Sequence, residues 1–244
     1  METMSDNQDM EELKEKIDNE ENVGEITIII GQVADRNTKL AEKLVNNLDL
    51  GKLKSKLDAE NDVQEIARCV AKIAYVCEGY AAGIFYAGGR FVENLVRNMN
   101  IKKLKDKIDG EEDIGKIVVC IDAISEVNSD VARKLTRSLD AEKLKNKIDG
   151  EKDIGKIQDC LWSIGFGSDK VAEKIVRGLD AEKLGKKMGE EKDVRKIGLC
   201  IEAIHRQGNC KLAAKLATQL NPDNAKTPDA KKFIINLKTR YLKT

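Results

Sequence analysis

Lys147-Ile148-Asp149-Gly150-Glu151-Lys152-Asp153-Ile154-Gly155-Lys156-Ile157 reads as the close of one helix, a glycine stop, an acidic turn and the opening of a second helix. Almost the same string stands at 107–117, forty residues earlier, and weaker copies stand at 16–26, 56–66 and 187–197. In the two closest copies the glycine, Gly110 or Gly150, falls where a left-handed C′ residue would end a helix. A joint that recurs at a nearly fixed interval points to a tandem helical repeat.

Working outward from the joint gives three helices per repeat. In the third repeat a short helix opens at Asn100 and ends at Asp109-Gly110. A second, capped by Asp113, covers 114–126, with Ile114, Ile117, Cys120, Ile121 and Ile124 on one stripe. After the polar turn Asn128-Ser129-Asp130, a third helix covers 131–139, with Val131, Ala132, Leu135 and Leu139 on one face. Asp9, Asp49, Asn100, Asp140 and Asp180 mark the repeat starts, at spacings of 40, 51, 40 and 40. The expected organisation is a disordered tail at 1–8, then one domain of five repeats at 9–48, 49–99, 100–139, 140–179 and 180–220. A capping segment at 221–244 follows, in which Thr227-Pro228 starts the last helix. Acidic residues at helix starts and lysines near the ends of the short helices agree with the helix dipole.

Composition fits this reading. Of 244 residues, 35% are charged, only 4% are aromatic, and both prolines lie beyond residue 220. With 43 basic and 43 acidic residues the chain lacks the excess positive charge of a typical nucleic-acid binder. The polar, acidic start has no apolar signal core, and no long uncharged apolar run indicates a membrane span.

A short helix, a glycine and two longer antiparallel helices in about forty residues resemble an armadillo-type repeat. The resemblance implies an all-α, right-handed α-solenoid with a C-terminal capping helix. It carries over no binding residues, because the asparagine ladder of the peptide-binding members is broken here to Asn47, Asn98, Ser138, Gly178 and Gln219.

The candidate chemistry is sparse. Cys69, Cys120, Cys160 and Cys200 share one position on the apolar stripe, where the first repeat has Ile29, so they read as core. Cys77 and Cys210 lie off that row. There is no C-x₂-C pair, and the lone histidine, His205, reads as a surface turn residue. No phosphate-binding glycine loop follows a strand, so no cofactor, metal or catalytic constellation is expected. Gly24, Gly115 and Gly155, in the first turn of the second helix, have N–H groups that could hold an anion. Gln64 and Arg195 replace them in the other repeats, which favours a packing role. Reduced cysteines place the protein in the cytoplasm.

Departures from the repeat are more informative. Eleven extra residues after Ile73 bring Tyr75, Tyr80, Phe85, Tyr86 and Phe91, more than half of the chain's aromatics. The stripe Cys69, Ile73, Cys77, Tyr80, Ile84 lets the helix run on to about Ala87 and project, or fold back on itself. Trp162 and Phe166 stand where the neighbouring repeats have Asp122 and Glu126, or Glu202 and Arg206, and Tyr75 shares the Phe166 row. These aromatics read as anchors for a protein partner or for self-association. A second reading is a basic row on the third helices, Lys43, Lys134, Lys174 and Lys215 with Arg97, Arg137 and Arg177, suited to an acidic peptide, a nucleic acid or a phospho-ligand.

Overall fold

A computed structural model describes residues 4–78, 89–222 and 227–242. Among the described residues all the elements are helical, with no strand. In order they are α1 (Met4–Asn19), α2 (Val23–Arg36), α3 (Thr38–Asn47), α4 (Leu50–Ala59), α5 (Val63–Glu78), α6 (Gly89–Asn98), α7 (Ile101–Gly110) and α8 (Ile114–Val127). They continue as α9 (Ser129–Ser138), α10 (Ala141–Gly150), α11 (Ile154–Gly167), α12 (Asp169–Gly178), α13 (Ala181–Glu190), α14 (Val194–Arg206), α15 (Cys210–Gln219) and α16 (Pro228–Leu242).

The chain divides into two compact units, residues 1–108 with 119–135, and residues 109–118 with 136–244, so the division crosses α8 and α9 rather than a linker. In the first, α2 lies along α5, α3 packs on both, and α6 packs on α5 and α4. Its core is aliphatic: Ile26, Ile30, Leu44, Leu57, Ile66, Ile73 and Leu95 are all fully buried. In the second, α11 lies along α14 and α12, α10 packs on α12, and α13 packs on α15. Its core includes Ile157, Cys160, Leu161, Ile164, Ile175, Cys200 and Ile201. Each buried aliphatic contributes about 1.5–3 kcal/mol relative to leaving it in water. The three-four spacing puts them on one stripe, which is why these segments are helices rather than strands.

α16 closes the second unit on α14 and α15. Thr227 caps it, its Oγ1 accepting from the Ala230 N–H at 3.2 Å. Ile234, Leu237 and Tyr241 are buried, so one face of this polar helix is apolar. A side chain at Gly198 of α14 would meet the Phe233 ring, which would have to shift.

All five joints fold alike. A glutamate turns back so that its carboxylate accepts the N–H two residues on, Glu20 from Asn22, Glu60 from Asp62, Glu111 from Asp113, Glu151 from Asp153 and Glu191 from Asp193, at 2.8–2.9 Å. The second residue then caps the following helix, as Asp153 Oδ1 does by accepting from Gly155 N at 2.7 Å. These bonds satisfy donors that a helix start leaves unpaired.

A long-range contact accompanies each internal joint. Lys56 Nζ donates to the carbonyls of Ile17 and Asp18 at 2.8 and 2.9 Å, and Lys107 Nζ to those of Leu57 and Asp58 at 3.2 and 2.9 Å. Lys147 reaches the Asp109 carbonyl at 2.8 Å, and Lys187 those of Ile148 and Asp149 at 3.1 and 2.8 Å. Each lysine thus latches onto the last carbonyls of the preceding short helix, of which Ile17 O and Ile148 O also accept the N–H of the glutamate that follows. Alongside, the carboxylates of Asp18, Asp58, Asp109 and Asp149 accept the backbone N–H of the next cap residue, Asp49, Asn100, Asp140 or Asp180.

Four expectations are corrected. Gly110 and Gly150 do not stop their helices in the left-handed region; both are the final helical residue, and the only glycine with positive φ among the described residues is Gly208 at 89°. The stop is made instead by Glu151 in extended backbone, φ −67° and ψ 141°, its N–H bonded to the last turn. Asp9 is not a cap, because α1 begins at Met4 and runs through it, with no glycine or proline before Gly24. The lysines near the helix ends serve the previous helix's carbonyls, beyond any interaction with their own dipole. His205 is helical, as described below.

Candidate functional site

The most exposed large apolar side chain described is Phe166, at 77%. It sits in the last turn of α11 on the face opposite the buried stripe, and its ring stacks on that of Trp162, one turn earlier, with centroids 6.0 Å apart and planes at 30°. From α14, the Arg206 guanidinium lies over the Trp162 ring at 4.9 Å. Arg206 is itself held by Glu202, which accepts from Nε at 3.1 Å and from Nη2 at 2.8 Å, and Arg240 of α16 stands 3.9 Å from the same carboxylate. The stack and the cation over it contribute about 0.5–1.5 and 0.5–1 kcal/mol. Together they hold the two rings in one orientation.

Trp162 is half-buried and Phe166 exposed, so the pair expected from sequence is together and open to solvent on one side. Tyr75, on the equivalent position of α5, is 51% exposed, with Lys72 Nζ 5.5 Å from its ring centroid. Phe91 is half-buried in α6. Tyr80, Phe85 and Tyr86 lie outside the described residues, as does the proposed run of α5 to Ala87.

The residues of the basic row, Lys43, Arg97, Lys134, Arg137, Lys174, Arg177 and Lys215, are all exposed. Arg97 pairs with Glu93 at 2.6 Å and Arg177 with Glu173, one turn back on the same helix, so part of the row is neutralised locally.

Cys69, Cys77, Cys120, Cys160 and Cys200 are reduced thiols and buried, whereas Cys210 is exposed. Burial pushes the thiols of Cys69, Cys120 and Cys200 up to about 12, which leaves them without a thiolate at neutral pH. Among the described residues no cluster of three His, Cys, Asp or Glu side chains could hold a metal. Gly115 and Gly155 give their N–H groups to the caps Asp113 and Asp153, so those donors are not available to an anion. His205 belongs to the last turn of α14 rather than to the turn after it, because the chain reverses at Gln207-Gly208. Its ring meets Tyr241 edge-on at 5.0 Å, and its buried Nδ1 has no hydrogen-bond partner.

Among the exposed aliphatics that were not anticipated are Ile28 of α2, Val119 of α8 and Leu199 of α14. Each is the sixth residue of its helix and lies off the buried stripe. An apolar residue out of phase with the three-four pattern was the available signal.

No protein-family model matches the chain, and no curated protein matches it. One solved structure, described as "Computational Design of Self-Assembling Cyclic Protein Homooligomers", aligns over 98% of this chain and 90% of its own at 15% identity, with a TM-score of 0.21. That score is too low to support an argument about either fold or function. Among the described residues no helix is long and apolar enough to cross a membrane.

Proposed function

We propose that the chain is a right-handed α-solenoid of five three-helix repeats closed by α16, acting as a non-catalytic protein–protein interaction scaffold. The observation that carries this reading is the exposed Phe166 ring, held ready on Trp162 under Arg206 at positions where neighbouring repeats have charged residues. Aromatic side chains with an adjacent arginine are typical anchors of protein interfaces. The five buried cysteines, all reduced thiols, support a cytoplasmic setting.

Affinity capture with the wild type and the Trp162→Ala/Phe166→Ala variant side by side tests the proposal. Loss of a bound protein, with the helical circular dichroism unchanged, is the expected result; an identical set of captured proteins would refute it. The second reading, an acidic peptide or phosphate backbone along the basic row, is favoured by the exposure of all seven residues and weakened by the pairs at Arg97 and Arg177. Replacing Arg97, Arg137 and Arg177 by glutamate would abolish such binding and its salt dependence.

A further inference from the structure

The Trp162–Phe166 pair is bordered by cations on one side. α14, packed on α11, brings Arg206 over the Trp162 ring, and α16, packed on α14, brings Arg240. Both guanidiniums approach one carboxylate, that of Glu202, at 2.8 and 3.9 Å, so the group carries one positive charge in excess. Solvent meets the cations rather than the carboxylate: the side chains of Arg206 and Arg240 are 57% and 61% exposed, that of Glu202 21%. Leu199 is exposed on the same stripe of α14, three residues before Glu202 and seven before Arg206. All of these residues belong to the second compact unit.

We propose that this surface binds a peptide segment of a protein partner in which an aspartate or glutamate lies within about three residues of a bulky apolar side chain; the inference rests on the aromatic-face reading given above. The apolar side chain lies on Phe166, and the carboxylate lies on Arg206 and Arg240. Arg206 gives Nε–H and Nη2–H to Glu202, which leaves part of its five-donor fork for a second carboxylate, and Arg240 only approaches Glu202. The Phe166 ring and the Arg206 guanidinium lie against the same Trp162 ring, 6.0 and 4.9 Å from its centre, so one short segment reaches both. Asp159, exposed one turn before Trp162 on α11, disfavours a carboxylate at that end and directs the partner's charge across to α14. Cations held in place by Glu202 and Trp162, with an acid bordering the rings, fit a single placed carboxylate better than the diffuse charge of an anionic lipid surface.

A displayed library of random peptides of about twelve residues, selected on the full chain, provides the test. The enriched sequences place Asp or Glu within about three residues of Phe, Trp, Leu or Ile, and added salt weakens their binding. Affinities of labelled selected peptides are then read by fluorescence anisotropy. Trp162→Ala/Phe166→Ala abolishes binding and Arg206→Gln/Arg240→Gln weakens it about tenfold or more, whereas Arg97→Glu/Arg137→Glu/Arg177→Glu leaves it unchanged. Peptides that need the aromatic pair but bind the Arg206→Gln/Arg240→Gln variant as tightly as the wild type overturn the inference and leave the aromatic face standing, so the two readings fail separately. Enrichment of basic or uncharged peptides overturns it, as does no enrichment beyond that on the Trp162→Ala/Phe166→Ala variant. Loss of binding in the Arg97/Arg137/Arg177 variant would move the acidic partner to the basic row and overturn it too. Binding of the wild type to phosphatidylserine vesicles through Trp162 and Phe166, with no peptide selected, would give the face to a lipid surface and overturn it likewise.

Discussion

Replacing Lys56 by methionine isolates the latch. The side chain is 6% exposed and its ammonium donates to two carbonyls, those of Ile17 and Asp18. Hydrogen bonds from a charged donor contribute about 1.5–3 kcal/mol each, so the two together give about 3–6 kcal/mol. Desolvation of the ammonium offsets roughly half of that, and methionine fills the volume of the aliphatic stem. The expected net loss is about 2 kcal/mol, read as a lower urea midpoint at unchanged slope. Amides of α1 should also exchange faster, because the lost bonds hold its C-terminal turn. Lys52→Met, one turn earlier at an exposed position, should change stability by less than about 0.5 kcal/mol. A Lys56→Met protein as stable as the wild type, or more so, would show that the buried ammonium is a burden and that the latch does not hold the joint.

Three further outcomes follow from the geometry. Gly110→Ala, Gly150→Ala and Gly189→Ala place a methyl group where nothing lies within 4 Å, at helical residues, so each should raise stability by about 0.5 kcal/mol in thermal melts; a loss would mean that these glycines use a conformation alanine cannot adopt. The caps Asp49, Asp113 and Asp180 are held below 3.8 chiefly by hydrogen bonds to Lys52 N, Lys156 Nζ and Lys183 N; at Asp153 burial pushes the carboxyl up, but the Gly155 N–H and Lys196 outweigh it. Between the lowered folded values and 3.8 the unfolded chain binds more protons, so the contribution of these caps is complete above about pH 5 and falls away with acid below about pH 4, and Asp113→Asn should flatten that acid limb. A thiol reagent should modify Cys210 rapidly in the native protein and the remaining five cysteines only on unfolding; fast native reaction at Cys120 or Cys160 would contradict their burial.

What could be read from the sequence was local. Ile154, Ile157, Cys160, Leu161 and Ile164 declare their helix through spacing alone, and all five are buried. Asp113, Asp140 and Asp153 announce the helix starts that they cap. The Trp162–Phe166 pair was legible because it breaks a row that is otherwise charged. The latch was hidden because its acceptors are backbone carbonyls about forty residues away, and a carbonyl has no letter in the sequence. The glycine stop failed for a related reason: the turning is done by Glu151 and its bond to Asp153 N, which leaves Gly150 with no conformational task. Leu199 and Val119 were masked by apolar neighbours that do belong to the core, Cys200 and Val118.

A latch that grips main-chain carbonyls asks nothing of the side chains on the segment it grips. Lys56 holds Ile17 and Asp18, Lys107 holds Leu57 and Asp58, and Lys187 holds Ile148 and Asp149, all through atoms that any residue would supply. The lysine contact is therefore blind to sequence, while the aspartate beside it, which accepts the N–H of the next cap residue, is the letter the joint asks of each link. Novel surface chemistry, such as the Trp162–Phe166 stack, can then be introduced in a single link while the fastening stays the same.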